Sequence, residues 1–393
     1  MNFRRITAII MAPLIAISAL AFSAFAADKE DVEPISEKQT VDLALDCKSA
    51  ILMEANTGEV LYEQNADEAL PPASVTKIMT LLLVMEAIDE GRIKLDDTVT
   101  ASAHAASMGG SQIYLKEGER MSVEDMVKSV VISSANDAAC ALAEFVSGSE
   151  TAFVTRMNER ARELGMTNTT FENTNGLDDT AKNHLTSARD IAIMSRELIK
   201  HKKILEYSSI WMDTVRNGLF GLTNTNRLVR FYRGCTGLKT GSTAKAGFCI
   251  SATAERDGMS LICVIMGSPT RDVRNAAATS LLDWGFANYG VYSHIPEELE
   301  ELDVLGGSQN KVKVKYDGFS HVTKKNNVFG IEYKIELPEN VSAPVKKGDV
   351  VGKTVFTLDG KTVGERDIIA DGDVSRISFL ELWYRLLAKF ILK

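Results

Sequence analysis

From Lys77 to Ala87 the chain reads Lys-Ile-Met-Thr-Leu-Leu-Leu-Val-Met-Glu-Ala, apolar at nearly every position rather than along one stripe. A helix of that kind has no face to offer water, so it must run through the middle of a core with other elements packed around it. Pro71-Pro72 ends the approach, and the sequence predicts a helix opening at Ser74 and running to about Ala87. At its head stands the run Ser74-Val75-Thr76-Lys77. An offset of three places Ser74 and Lys77 on one face, one turn apart, where an amine can reach a hydroxyl. A serine there also lies near unpaired backbone N–H groups and the positive end of the helix dipole. That is the geometry of a nucleophile beside its base.

Two further motifs lie downstream. Ser134-Ala135-Asn136 falls on the short connection expected between helical segments 121–132 and 138–146. Lys239-Thr240-Gly241 precedes two apolar runs, 247–254 and 260–266, which meet at Asp257-Gly258 and read as a hairpin. Taken singly, the three motifs are equally a helix cap, a turn and a strand end. Jointly they come in fixed order, 60 and 105 residues apart (74 to 134 to 239), each on the kind of element its chemistry needs.

The chain has 393 residues, 45% hydrophobic and 25% charged, which suits two or three globular domains. Its net charge is −9, and removing the +2 of Arg4 and Arg5 with residues 1–26 leaves −11, so nucleic acid is not an expected partner. Those first residues read as a secretory signal: two arginines, the apolar stretch 6–22, then Ala24-Phe25-Ala26, with cleavage expected after Ala26. Residues 27–39 form an acidic linker. Five cysteines, Cys47, Cys140, Cys235, Cys249 and Cys263, are an odd number for an exported chain and fit no metal spacing. A two-residue turn at Asp257-Gly258 would set Cys249 opposite Met266 and Cys263 opposite Ala252, which argues against a disulfide between them. The five histidines show no metal spacing, and no metal or cofactor is expected.

Residues 50–53 and 60–62 flank Asn56-Thr57-Gly58 and read as another hairpin; 151–164, 188–201 and about 273–289 read as helices. A mostly antiparallel sheet with helices around it is the economical arrangement for residues 40–292. From 293 to 375 the runs 311–316, 330–337 and 350–358 alternate or carry β-branched residues, which reads as a small all-β domain with no visible chemistry. The tail, 376–393, is different: Phe379, Leu380, Leu382, Trp383, Leu386 and Leu387 are apolar, while Glu381, Arg385, Lys389 and Lys393 recur every four residues. It is too short and polar to span a bilayer. An amphipathic helix lying in the membrane surface is the preferred reading; a helix packed on the fold or in an oligomer is the other.

With these motifs on the page the chain resembles the low-molecular-mass penicillin-binding proteins, specifically the serine-type D-alanyl-D-alanine carboxypeptidases of the superfamily that includes class A β-lactamases. The resemblance rests on Pro72-Ala73-Ser74-Val75-Thr76-Lys77, Ser134-Ala135-Asn136-Asp137-Ala138, Asn175-Gly176-Leu177, Thr186-Ser187-Ala188-Arg189-Asp190, Gly237-Leu238-Lys239-Thr240-Gly241, the small β-domain and the tail. It implies an α+β, penicillin-binding/β-lactamase-like domain followed by an all-β domain and an amphipathic helix. It implies removal of the terminal D-alanine from peptidoglycan stem peptides ending in D-Ala-D-Ala, binding of β-lactam inhibitors, and work on the outer face of the cytoplasmic membrane. By the same resemblance Ser74 is the acyl-ester nucleophile, Lys77 its base and Ser134 a proton relay. Asn136 orients the substrate amide, Lys239 supplies positive charge, and Thr240, Gly241 and Ser242 line the carboxylate and oxyanion positions.

Arg227, in Asn226-Arg227-Leu228, resembles the family's arginine near the carboxylate and is nearly as well read as a surface arginine. A second arginine shortly after Met266-Gly267 is lacking at Ser268-Pro269-Thr270, with Arg271 following. Two other readings use the same motifs. A β-lactamase needs a Glu-x-x-Leu-Asn loop, which Glu172-Asn173-Thr174-Asn175 does not supply; a cell-wall scaffold would acylate without turning over.

Overall fold

The computed structural model describes residues 43–178 and 181–391; the expected signal peptide and linker lie outside them. Five strands, β1 (Ser49–Glu54), β2 (Val60–Gln64), β3 (Cys235–Thr243), β4 (Gly247–Arg256) and β5 (Met259–Ser268), form one antiparallel sheet in the order β2-β1-β5-β4-β3. Seven helices matter here: α1 (Lys77–Asp89), α2 (Val123–Ser133), α3 (Asn136–Ser147), α4 (Glu150–Glu163), α5 (Ala188–Leu198), α6 (Arg271–Asn288) and α7 (Phe379–Ile391).

Both faces of the sheet are covered, which is why β5 reads as an unbroken apolar run. Ile262, Val264 and Met266 join Ile51 and Met53 in one core with α1 and α5, while Leu261, Cys263 and Ile265 join Ala50 and Leu52 in a second core against α6. Period-two alternation sends successive side chains to opposite cores. The β1–β2 hairpin falls where expected. Buried Glu54 holds its turn by accepting from Asn56 Nδ2 (3.1 Å), Thr57 N (2.7 Å) and Thr57 Oγ1 (2.9 Å).

The central helix is as buried as its composition requires: Lys77 to Met85 and Ala87 are all closed off from solvent. Fully burying each Leu, Ile or Met there contributes about 1.5–3 kcal/mol. It begins later than expected, however. Ala73–Thr76 is a single 3₁₀ turn, and α1 proper starts at Lys77. The Thr76 hydroxyl explains the tighter turn by donating to the Ala73 carbonyl at 2.8 Å, a local competitor of helical bonding.

Other expectations need correction. The segment expected as a helix from 121 starts instead with a short strand, Arg120–Ser122, paired with Thr98–Thr100; Ser122 then caps α2 by accepting from Asp125 N at 3.1 Å. Ala252 does face Cys263, but a bulge between Phe248 and Ile250 puts Phe248 opposite Ser268, so the regular register that paired Cys249 with Met266 fails there. All five cysteines are free, and three of them, Cys140, Cys249 and Cys263, are buried.

Beyond the main sheet, Tyr289–His294 pairs with Phe319–Lys324, and a three-stranded and a four-stranded sheet follow. The run 311–316 divides: Lys311–Val312 and Val314–Lys315 belong to different sheets. Alternation along one stretch cannot report such a switch. In α7, Phe379, Leu380, Trp383 and Tyr384 are exposed, while Arg385 reaches the β-domain at Asn310 Oδ1 (2.9 Å) and the Ser308 carbonyl. No described helix is long and apolar enough to cross a membrane.

Candidate active site

The 3₁₀ turn holds Ser74 half-buried, and Lys77 Nζ lies 3.0 Å from Ser74 Oγ and donates to the Asn175 carbonyl at 2.8 Å. Lys77 is wholly buried. Burial, and after it the charge of Lys239, hold its amine well below the usual lysine range, while Asp137 pulls in the opposite direction. Surroundings that favour the neutral amine suit a lysine to act as a base.

The turn is braced from behind. Ala73 takes a positive φ of 49°, uncommon for a residue with a side chain. Gly176 passes so close that a Cβ on it would fall 1.9 Å from the Ala73 carbonyl oxygen. Thr76 Oγ1 lies 2.8 Å from His184 Nε2, and Glu172 N–H donates to His184 Nδ1 at 3.0 Å. That second bond makes Nδ1 the acceptor, so the ring proton sits on Nε2 and is donated to Thr76, which passes its own to Ala73.

Burial lowers His184 to about 4. The unfolded chain, with an ordinary histidine near 6.5, takes up a proton that the folded state refuses. Stability is therefore fully present above about pH 6.5 and is lost as pH falls toward 4, by about 3 kcal/mol in all. His184→Gln is expected to be less stable at pH 7 but to show a flatter stability–pH curve between 6.5 and 4, measured by urea unfolding. An equally steep curve in the variant would show that another group governs the acid limb.

Ser134 ends α2 in the left-handed region, at φ 62° and ψ 30°. A serine held there is backbone strain of the kind that surrounding structure must maintain, worth about 1–3 kcal/mol. Asn136, expected on the connection, is instead the first residue of α3. Its Nδ2 donates to the Gly109 carbonyl at 2.7 Å and its N–H to the Ser111 carbonyl at 2.7 Å. Next to it, the Asp137 carboxylate accepts from Ile113 N (3.1 Å) and Leu115 N (3.0 Å), which folds segment 109–115 against α3. Ser134 Oγ and Asn136 Oδ1 are both buried without a hydrogen-bond partner among the described residues. Polar atoms left so are costly unless something arrives to meet them.

Edge strand β3 closes the site. A Cβ on Gly241 would lie 2.8 Å from the Pro72 carbonyl oxygen and 2.9 Å from Ser74 N, so only glycine lets the strand approach the nucleophile turn. Lys239, also wholly buried, donates to the Thr240 carbonyl at 2.8 Å; burial, then Arg274, brings its pKa down to about 7. Thr240 Oγ1 donates to Thr225 Oγ1 at 2.8 Å, and Ser242 is exposed one residue past Gly241.

Arg227 is exposed at the head of the short helix Leu228–Phe231. Arg271 is exposed as well, and the buried arginine is Arg274, one turn further along α6, where Nη1 donates to the Cys249 carbonyl at 3.3 Å. Arg227 and Arg271 are both near enough that their charges act on Arg274. The sequence reading stopped at Arg271; a three-residue repeat of arginine at a helix start was the available signal. It also gave no role to Asn175 or Thr225.

A wholly buried lysine 3.0 Å from a serine hydroxyl, an edge strand beside them and two unsatisfied polar groups where α2 passes into α3 fit a serine acyl-transfer enzyme of the penicillin-binding class. The chain belongs to the D-alanyl-D-alanine carboxypeptidase family, Peptidase S11, whose profile matches residues 35–270. Residues 296–376 match the C-terminal domain of penicillin-binding protein 5. It is 42% identical to D-alanyl-D-alanine carboxypeptidase DacF of Bacillus subtilis over 93% of this chain and 94% of that protein. Among solved structures, penicillin-binding protein 5 of Haemophilus influenzae is 33% identical, with a TM-score of 0.72 over 84% of this chain and 98% of that one. Penicillin-binding protein D2 of Listeria monocytogenes, solved with ampicillin bound, is 34% identical, with a TM-score of 0.58 over 63% of this chain and all of that one.

Proposed function

We propose that this chain removes the terminal D-alanine from peptidoglycan stem peptides ending in D-Ala-D-Ala, through an acyl-enzyme on Ser74. The observation that carries the reading is the 3.0 Å contact between Ser74 Oγ and a wholly buried Lys77 whose amine is held below its usual range. Ser74 Oγ attacks the carbonyl between the two D-alanines as Lys77 takes its proton. Ser134 relays a proton to the leaving amine, D-alanine departs, and water hydrolyses the ester.

Asn136 Oδ1 accepts the substrate amide N–H. The backbone N–H groups of Ser74 and Ser242 receive the oxyanion, each worth about 2.7–4 kcal/mol. Lys239, Thr240, Ser242 and Arg227 face the terminal carboxylate, and β3 aligns the peptide as an added strand, Gly241 keeping the strand close. β-Lactams acylate the same serine. Glu172 is not placed to act as a β-lactamase base: its carboxylate accepts from Lys182 N (2.6 Å) and Asn183 N (3.1 Å) and caps its own loop.

Incubation of the chain, without residues 1–26, with a pentapeptide ending in D-Ala-D-Ala is expected to release free D-alanine, with penicillin hydrolysed only slowly. Efficient penicillin turnover without D-alanine release would sink the proposal in favour of a β-lactamase.

The enzyme works outside the cytoplasm, exported by residues 1–26 and held at the membrane surface by α7. What supports this is the exposure of Phe379, Leu380, Trp383 and Tyr384 while Arg385 ties the helix to the β-domain. Such a helix lies in the interface with its aromatic residues among the headgroups. Deleting residues 378–393 is expected to free the protein from membranes while leaving D-alanine release from a soluble peptide intact, since the described side-chain bonds of α7 to the rest of the chain go to Gly307, Ser308 and Asn310 of the β-domain. Unchanged sedimentation with membranes would refute the anchor.

A further inference from the structure

His104, Cys140 and Glu150 are separated in the sequence by intervals that match no metal motif, yet their donor atoms all lie within 4.8 Å of one another. His104 stands exposed on the short helix Ala103–Ala106, Cys140 is buried in α3, and Glu150 opens α4. Glu150 Oε2 lies 2.7 Å from His104 Nε2. Its other oxygen accepts from Thr174 N (3.1 Å) and Thr174 Oγ1 (2.7 Å). The carboxylate is thus already oriented by a second layer of donors, as ligating carboxylates are.

The surroundings of Cys140 are negative as well as apolar. Glu150, Glu144 and Asp137 all lie close enough for their charges to act on Cys140. A dication placed there would meet the sulfur and the nearby negative charge together.

We propose that His104, Cys140 and Glu150 form a three-ligand site for a thiophilic divalent cation of the zinc class, with a solvent water as the fourth ligand. Nitrogen, sulfur and oxygen donors in that number are a tetrahedral zinc set with one open position. Bonds of about 2.0–2.3 Å put ligand atoms roughly 3.3–3.8 Å apart, so the His104–Glu150 hydrogen bond opens slightly and the remaining distances close by about 1.5 Å at most. On binding, the S–H bond of Cys140 breaks, its proton leaves to solvent and a metal–sulfur bond forms; neutral His104 binds through Nε2, and Glu150 is already an anion. Affinity therefore rises with pH.

The site borders the catalytic wall. Thr174, held by Glu150, precedes Asn175, whose carbonyl takes the Lys77 amine, and the Thr174 carbonyl accepts from Thr80 of α1 at 2.6 Å. A cation on Glu150 stiffens that connection.

Cobalt(II) titrated into the reduced, chelator-treated protein provides the test. A thiolate-to-cobalt charge-transfer band saturating at one equivalent, displaced by zinc and absent in Cys140→Ser, is expected; the four other cysteines remain in that variant. His104→Ala, at an exposed position that carries little folding risk, is expected to weaken cobalt binding at least roughly tenfold. No band in the wild type, or a band of equal strength in Cys140→Ser, overturns the site. If Cys140→Ser does not fold, unchanged affinity in His104→Ala overturns it alone.

Discussion

Ser74→Ala is expected to lose D-alanine release by at least about 10⁴-fold while keeping its fold, because removing the nucleophile of a linked set removes the covalent route altogether. The side chain is half-buried and makes one described side-chain contact, with Lys77, so its loss leaves no large cavity. The melting temperature should stay close to that of the wild type, and this separates loss of chemistry from loss of structure. Residual release at a tenth of the wild-type rate would mean that another group attacks the carbonyl.

Lys77→Met is expected to cost about 10²–10⁴-fold in acylation, the range for loss of a positioned general base, and at the same time to raise thermal stability. The second effect follows from burial. Folding at neutral pH forces the amine toward its uncharged form, which an unfolded lysine near 10.4 resists, so the folded state carries a cost that methionine lacks. For any buried lysine with a lowered pKa, stability rises with pH from the folded value up to the unfolded one, and Met should flatten that slope. A variant both inactive and markedly less stable would instead show that the Ser74–Lys77–Asn175 bonds hold the fold together.

The same two lysines predict the pH profile. Activity should rise as Lys77 loses its proton and fall as Lys239 loses its own, because Lys239 has to be charged to hold a carboxylate. In the free enzyme Lys239 lies at about 7, so kcat/KM should decline above that pH. A bound carboxylate favours the charged amine, and the corresponding limb of kcat should therefore lie at higher pH.

Much of this arrangement was legible before any coordinates. The buried character of α1 followed from its lack of a polar face, and the offset of three brought Ser74 and Lys77 together as expected. What escaped was set by contacts distant in the chain. The 3₁₀ turn depends on Thr76 meeting His184, 108 residues away. The role of Asn175 depends on a loop reaching back across 98 residues to Lys77. Arg274 was missed because its burial comes from α6 packing against β4, a fact absent from its neighbours in sequence. The bulge that displaced Cys249 and the strand switch near 311–316 are likewise decided by partners, since one strand's alternation records which residues point inward but not who pairs with them.

The proton chain behind the nucleophile gives the acid limb of stability a local origin. His184 neither touches substrate in this reading nor needs to; it keeps Thr76, and through it Ala73, in the turn that presents Ser74. Catalytic geometry and acid lability then share one side chain, so a variant that resists acid unfolding is expected to acylate more slowly.

The most direct test of the account is the intact mass of the protein after brief exposure to a β-lactam, followed by peptide mapping. A single adduct equal to the whole mass of the β-lactam, located on the peptide that contains Ser74 and absent in Ser74→Ala, is the predicted result. An adduct on any other residue, or none in the wild type, would contradict it.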